Sequence, residues 1–149
     1  MTTPIRAAAL AALATTSIAA ALPAFAQQPD RIETDAATLG LTEAEVRPDD
    51  WGHDLWGVLP SGDRVKLEYD RDGMLDEIDV DRGGSIAFAD LRPLLPQGIQ
   101  APENLGDAMR ITSLEIDRDG LEAEGMDENG RRFEAEWAPD GRLRDWDRD

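Results

Sequence analysis

The chain has 149 residues, of which 32 are Asp or Glu and 15 are Lys or Arg, so its formal net charge is −17, and it contains no cysteine. A polyanion of this size repels nucleic acids and anionic membranes, which excludes both as main partners and leaves basic proteins, basic peptides or cations such as Ca²⁺. The absence of cysteine excludes disulfides and a cysteine-linked lipid anchor.

Residues 1–26 are predicted to be a secretory signal peptide. Arg6 supplies the positive charge, an alanine-rich apolar run follows, and the small residues around Phe25 are typical of a cleavage site. The apolar run is too short and too weakly hydrophobic for a comfortable membrane span. Cleavage after Ala26 would leave residues 27–149, and we expect that product to be periplasmic or secreted and free of the membrane.

The first predicted module covers residues 27–82. Val65, Leu67 and Tyr69 alternate with charged residues, which is the period of a strand with one buried face. The Asp-Gly pair ending at Gly73 is typical of a tight hairpin turn. The module is predicted to hold a short helix ending near Gly40 and strands near 41–46, 55–59, 64–69 and 74–80.

The second predicted module covers residues 83–149. Its apolar residues between Phe88 and Leu95 have helical spacing up to Pro96, and 101–109 would add another turn or two of helix. Strands are predicted near 111–116, 121–126, 131–137 and 142–147. The expected fold class is therefore α+β, with two related modules that each place a short helix before an antiparallel β-meander of three to four strands.

An internal repeat supports this division. Residues 57–81 align with 125–149 at an offset of 68, and nine of the 25 aligned positions are identical. The matched pairs include three glycines in each copy, so the turns keep their spacing. The repeat leaves open whether the two modules form one continuous sheet or sit side by side.

The stretch "YDRDGMLDEI" and the longer "ITSLEIDRDGLEAEGMDENGRRFEAEWAPDGRL" resemble the PepSY-like domains of exported bacterial proteins. The resemblance covers most of residues 27–149 and implies a non-catalytic envelope module, some of whose relatives restrain peptidases. Tandem modules of the β-lactamase-inhibitor-protein type have a similar build.

A calcium site is the alternative interpretation of the acidic turn. With Gly73 at the sixth position of an EF-hand loop, Glu68, Asp70, Asp72 and Asp79 occupy ligand positions. The flanking residues alternate like strands rather than helices, and the second copy has alanine in place of the middle ligand. The pattern therefore favours a β-hairpin, with a calcium-responsive acidic cluster as the competing function.

No catalytic set emerges from the remaining residues. The absence of cysteine excludes Cys-His catalysis, and Ser61, Ser85 and Ser113 lie in turn or strand contexts with no base in view, so neither an enzyme nor a cofactor is predicted. Trp137 and Trp146 fall on apolar strand positions and are predicted to be core. Trp51 and Trp56 flank a glycine-rich turn beside acidic residues, and they either pack on their own sheet or bind a basic envelope partner.

Overall fold

In residues 28–99 and 101–148, the part of the chain that the computed structural model describes, the backbone forms nine strands of one antiparallel sheet and two α-helices. The predicted signal peptide lies outside these residues. The elements in chain order are α1 (Gln28–Thr38), β1 (Thr42–Pro48), β2 (Gly52–Val58), β3 (Arg64–Asp70), β4 (Leu75–Val80), β5 (Ile86–Ala87), α2 (Phe88–Leu91), β6 (Arg110–Ile116), β7 (Leu121–Met126), β8 (Arg132–Trp137) and β9 (Leu143–Arg148).

The strands follow the order β1-β2-β3-β4-β6-β7-β8-β9, and the short β5 pairs with β6 away from this path. Two up-and-down meanders, β1–β4 and β6–β9, are joined where Glu77, Ile78 and Asp79 of β4 pair with Ser113 to Glu115 of β6. The two halves therefore form one continuous sheet. The predicted module boundary, between residues 82 and 83, falls in the loop from β4 to β5.

The prediction of an α+β fold was wrong, because the described chain is dominated by its sheet. Helix α1 has eleven residues and α2 only four. The apolar spacing before Pro96 is helical, but Pro93 has no backbone N–H to donate, so α2 gives way to a single 3₁₀ turn at Arg92–Leu94. Residues 101–109 form turns and no helix. The eight longer strands lie where the alternation predicts them, whereas β5 was missed.

The core lies between the inner face of the sheet and a cover made by α1, α2 and the segment that links α2 to β6. Leu67, Ile78 and Leu114 reach it from the middle of the sheet. Phe88 of α2 and Trp137 of β8 are fully buried, which confirms the predicted core role of Trp137. No helix among the described residues is long and apolar enough to span a bilayer.

A buried polar contact holds α1 on the sheet. The Asp35 carboxylate accepts hydrogen bonds from the Tyr69 hydroxyl at 3.0 Å and from Nε of Arg31 at 2.9 Å. Nη2 of Arg31 also donates to the Leu94 carbonyl at 2.7 Å. Burial and the neighbouring carboxylate raise the pKa of Tyr69, so this hydroxyl stays a donor. The contact links α1, β3 and the segment after α2.

Two glycines 68 positions apart mark close approaches of neighbouring chains. A Cβ atom at Gly52 would lie 1.8 Å from the Tyr69 carbonyl oxygen, and one at Gly120 would lie 1.8 Å from that of Trp137. Neither site has room for a side chain. Glycine is therefore required where β2 and β7 begin beside the ends of β3 and β8.

Candidate functional site

We call the face of the sheet that points away from the core the open face. It carries a line of carboxylates, which we call the acidic row. Cross-strand register places one acid on each of seven adjacent strands. Six of these residues have at least one buried neighbour on their own strand, and Asp145 has the partly buried Trp146 beside it, so the alternation of a strand turns each of them outward. The acidic row consists of Asp54, Glu68, Glu77, Glu115, Glu122, Glu136 and Asp145.

A second, parallel line of residues lies two positions along the strands. It adds four more carboxylates, one tryptophan and one lysine, and its members are Trp56, Lys66, Asp79, Ser113, Glu124, Glu134 and Asp147. Lys66 contacts Glu68 and lies 3.8 Å from Asp79. Lys66 is the single basic residue in the two lines. In the half of the face built by β6–β9, Arg144 and Arg132 lie beside some of the acids, but the acids outnumber them, so this half carries excess negative charge.

The pKa values of two acids on the open face are raised by partial burial and by repulsion from neighbouring carboxylates. Partial burial and the carboxylates of Asp79 and Glu68 raise the pKa of Glu77 to about 7, although Lys66 acts in the opposite direction. Burial, followed by Glu115 and other acids, likewise raises the pKa of Glu122. Like charges directly opposite each other on neighbouring strands destabilise a sheet. The folded chain therefore tolerates an unfavourable charge arrangement on this face.

A shallow cleft of about 230 Å³ opens at the hairpin-tip end of the β6–β9 half. Glu115, Glu122 and Glu136 of the acidic row line it together with Asp117 and Arg144. Asp117 uses its Oδ1 to accept the backbone N–H of Gly120 at 2.8 Å, so that carboxylate serves the β6–β7 turn. The three row glutamates and the exposed Asp119 are the other acids that line the cleft.

Removing the Glu77 charge is expected to stabilise the protein at pH 8 more than at pH 5. Because the pKa of Glu77 is raised to about 7 on folding, its contribution to stability is complete below its unfolded pKa of about 4.3 and is lost as pH rises through 7. After allowance for solvent screening, Glu77→Gln should gain about 1 kcal/mol at pH 8 relative to pH 5. Urea unfolding at both values measures this difference.

Glu128→Gln is the matched control, since Glu128 is exposed in the β7–β8 turn. Its unfolding free energy relative to the parent protein should be the same at pH 5 and pH 8. An equal pH response of the two variants would contradict the raised pKa of Glu77.

The residues predicted as calcium ligands lie in and beside the β3–β4 hairpin. Oδ1 of Asp70 accepts the backbone N–H groups of Asp72 and Met74, both at 2.8 Å. Glu68 and Asp79 lie on the open face beside the same lysine. The pairing of β3 with β4 confirms the predicted hairpin.

Glu68 and Asp79 therefore belong to the open face, and Asp70 caps the β3–β4 turn. Among residues 28–99 and 101–148, no group of three or more histidine, aspartate or glutamate side chains is arranged to hold a metal ion. Calcium binding stays a prediction from the sequence.

The two tryptophans predicted to bind a partner occupy different surroundings. Trp56 lies on the open face, with the Arg47 guanidinium 5.7 Å and the Lys66 ammonium 5.8 Å from its ring centroid. Trp51 is 75% exposed in the β1–β2 turn, where the Arg71 guanidinium lies 5.4 Å from its ring centroid. Partner binding by either residue stays a prediction.

The acidic row was not predicted as a site. The sequence shows an acid at alternate positions of most strands, but that pattern does not reveal which acids lie side by side. The alignment of Glu77 with Glu115 depends on the pairing of β4 with β6, which are far apart in the chain.

No protein-family model and no curated protein matches the chain. A solved structure from Bacteroides vulgatus, described as a periplasmic protein of unknown function, is 17% identical with a TM-score of 0.46, and the match covers 82% of this chain and 90% of that one. A BLIP-like protein from Bacteroides fragilis is 11% identical with a TM-score of 0.35, covering 80% of this chain and 84% of that one.

A protein from Bacteroides eggerthii, also described as periplasmic, is 10% identical with a TM-score of 0.34 and covers 80% of this chain and 88% of that one. Because all three TM-scores lie below 0.5, these similarities assign neither a family nor a function to the chain. The resemblance to PepSY-like domains stays a prediction from the sequence.

Proposed function

We propose that the protein is an exported, non-enzymatic module that binds a basic envelope protein or peptide on the open face of its sheet. The observation that carries this proposal is the acidic row, in which carboxylates from seven adjacent strands stand in register. Restraint of a peptidase, which the PepSY-like resemblance implies, is one form that such binding would take.

Charge repulsion supports the proposal. Carboxylates held opposite one another lower the stability of the free protein, and after burial this repulsion is the next cause of the raised pKa values of Glu77 and Glu122. A partner that brings Lys or Arg side chains to the row would relieve it. Complementary charge of this kind speeds association and selects among partners.

The dimensions of the row suit a protein or peptide better than a single ion. Neighbouring strands lie about 4.8 Å apart, so seven strands spread the carboxylates over roughly 29 Å. A metal ion would need several ligands within one coordination sphere. An extended basic segment or a basic protein surface can meet the row along its length.

Aromatic contacts would add affinity at one end of the face. Trp56 lies beside the acidic row, and Trp51 is exposed at the β1–β2 turn. Tryptophan is enriched among the residues that dominate interface energies. A partner that covers the row and extends past β2 would meet both rings.

The test is binding of a fluorescent peptide of alternating lysine and serine, measured by anisotropy. The triple variant Glu115→Gln, Glu122→Gln and Glu136→Gln removes three charges from the face and should weaken binding by about tenfold or more in 50 mM salt. Parent binding should also weaken in about 200 mM salt, because exposed charges are screened.

The control triple variant Glu33→Gln, Asp90→Asn and Glu128→Gln removes the same number of charges from exposed positions on α1, on α2 and in the β7–β8 turn, away from the open face. Its affinity for the peptide should change by less than about twofold. Equal losses in the two triple variants would show that net charge alone attracts the peptide, and the proposal would then fail.

A further inference from the structure

A cavity of about 370 Å³ lies where the C-terminal end of α1, the β2–β3 turn, β5 and α2 meet, and we call it the α1–β5 cavity. Leu39, Leu59 and Ile86 form a buried apolar part of its wall. Arg110, at the start of β6, and Asp90, on α2, add opposite charges to the lining. The volume falls in the lower range of small-molecule sites.

Arg110 is set apart from the other partly buried cations. Arg31 pairs with Asp35, Lys66 contacts Glu68, and Arg92 pairs with Asp107. Arg110 has no carboxylate within 4.0 Å among the described residues. Because the chain has 32 acidic and 15 basic residues, a partly buried arginine without an ion pair is notable.

Neutral groups hold the Arg110 guanidinium in place. Its Nε donates to the Ser85 hydroxyl at 3.1 Å, and its Nη2 donates to the Ser85 carbonyl oxygen. These bonds leave other N–H groups of the guanidinium unused. A partly buried guanidinium that is oriented but unpaired in a cavity is suited to a carboxylate ligand.

Two further features favour a positive charge elsewhere in the same cavity. The Asp90 carboxylate is exposed and has no hydrogen-bond or ion-pair partner in the described part of the chain. Ala37 and Thr38 at the end of α1, and Leu39 and Gly40 just after it, also line the cavity, and a helix C-terminus carries partial negative charge. Cation and anion sites thus border one apolar wall.

We infer that the α1–β5 cavity binds a small apolar zwitterion of the free amino-acid class, with its carboxylate on Arg110, its ammonium near Asp90 and its side chain against the apolar wall. This ligand would bind away from the acidic row. Its binding does not depend on the proposed protein partner.

Isothermal titration of the protein with L-leucine tests the inference, and a dissociation constant below about 1 mM is expected. Isocaproate, which lacks the ammonium, and isoamylamine, which lacks the carboxylate, should each bind about tenfold more weakly or not at all. No binding of leucine up to about 10 mM, or binding of isocaproate as tight as that of leucine, would overturn the assignment.

Two variants with matched controls place the site. Asp90→Asn and Arg110→Gln should each weaken leucine binding about tenfold, because each removes one charged hydrogen-bond partner. Asp81→Asn and Arg82→Gln change exposed residues outside the cavity and should leave the affinity for leucine unaltered. If loss of the Ser85 contacts unfolds Arg110→Gln, the exposed Asp90 variant decides. Leucine affinity unchanged in Asp90→Asn would refute the site.

Discussion

Replacing Trp137 by alanine is expected to lower the free energy of unfolding by about 3–5 kcal/mol, the largest effect of any single substitution considered for this protein. Trp137 is 0% exposed, and its Nε1 donates to the Glu103 carbonyl at 2.8 Å. Its ring also meets that of Trp146 edge-on, at a centroid distance of 6.0 Å. The substitution removes all three contributions and leaves a cavity under β8.

Trp51→Ala is the matched control, because it deletes the same side chain from a position that is 75% exposed. Its effect should stay within about 0.5 kcal/mol. Thermal unfolding followed by far-ultraviolet circular dichroism measures both variants, and Trp137→Ala should melt at least about 10 °C lower than the parent. Equal melting temperatures would place Trp137 outside the core.

Replacing Asp35 by alanine is expected to cost about 3 kcal/mol of stability. The Asp35 side chain is 6% exposed, and its loss leaves the Tyr69 hydroxyl and Nε of Arg31 without their acceptor. Arg31 is 33% exposed and can recover some hydration, which sets the effect at the lower end of the range for broken buried pairs. Urea unfolding measures the cost.

Glu33→Ala provides the comparison, since Glu33 is an exposed acid on the same helix. It should change the unfolding free energy by no more than about 0.5 kcal/mol. Asp35→Asn keeps an acceptor oxygen and should fall between the two alanine variants. A loss for Asp35→Ala no greater than that for Glu33→Ala would mean that this contact does not hold α1 on the sheet.

The contact at Asp35 also bears on the second proposed site. The residues of α1 that follow Asp35 line the α1–β5 cavity, so detachment of the helix would open that cavity to solvent. Asp35→Ala should therefore weaken leucine binding even though Asp35 does not line the cavity. The open face, on the other side of the sheet, should keep its peptide affinity in that variant as long as the sheet stays folded.

The sequence predicts the strands and hairpins because both are local patterns. Alternation of apolar and charged residues identifies which side of each strand is buried, and the glycines at 73 and 141 have the positive φ values, 75° and 78°, that their tight turns need. The buried position of Trp137 follows from the same alternation. The excess of acids is read directly from the composition, and the prediction of a basic partner rests on it.

The balance of helix and strand was not predictable from apolar spacing alone. Phe88, Leu91 and Leu94 have helical spacing and are all buried, but the chain at Pro93 cannot continue the hydrogen-bond pattern of an α-helix. The apolar side chains reach the core from a short helix and a 3₁₀ turn. Tertiary packing, rather than helix length, determines their burial.

Both candidate sites depend on contacts between residues that are distant in the chain. A strand's alternation determines its faces but carries no information about register with a later strand, so only the β4–β6 pairing shows that Glu77 lies beside Glu115. Likewise, only the folded chain shows that Arg110 contacts Ser85 and that no carboxylate of residues 28–99 and 101–148 pairs with it. The sequence by itself therefore determined the strands, the turns and the charge of this protein, and the tertiary structure decided which charges stand together, because long-range hydrogen bonding sets the register.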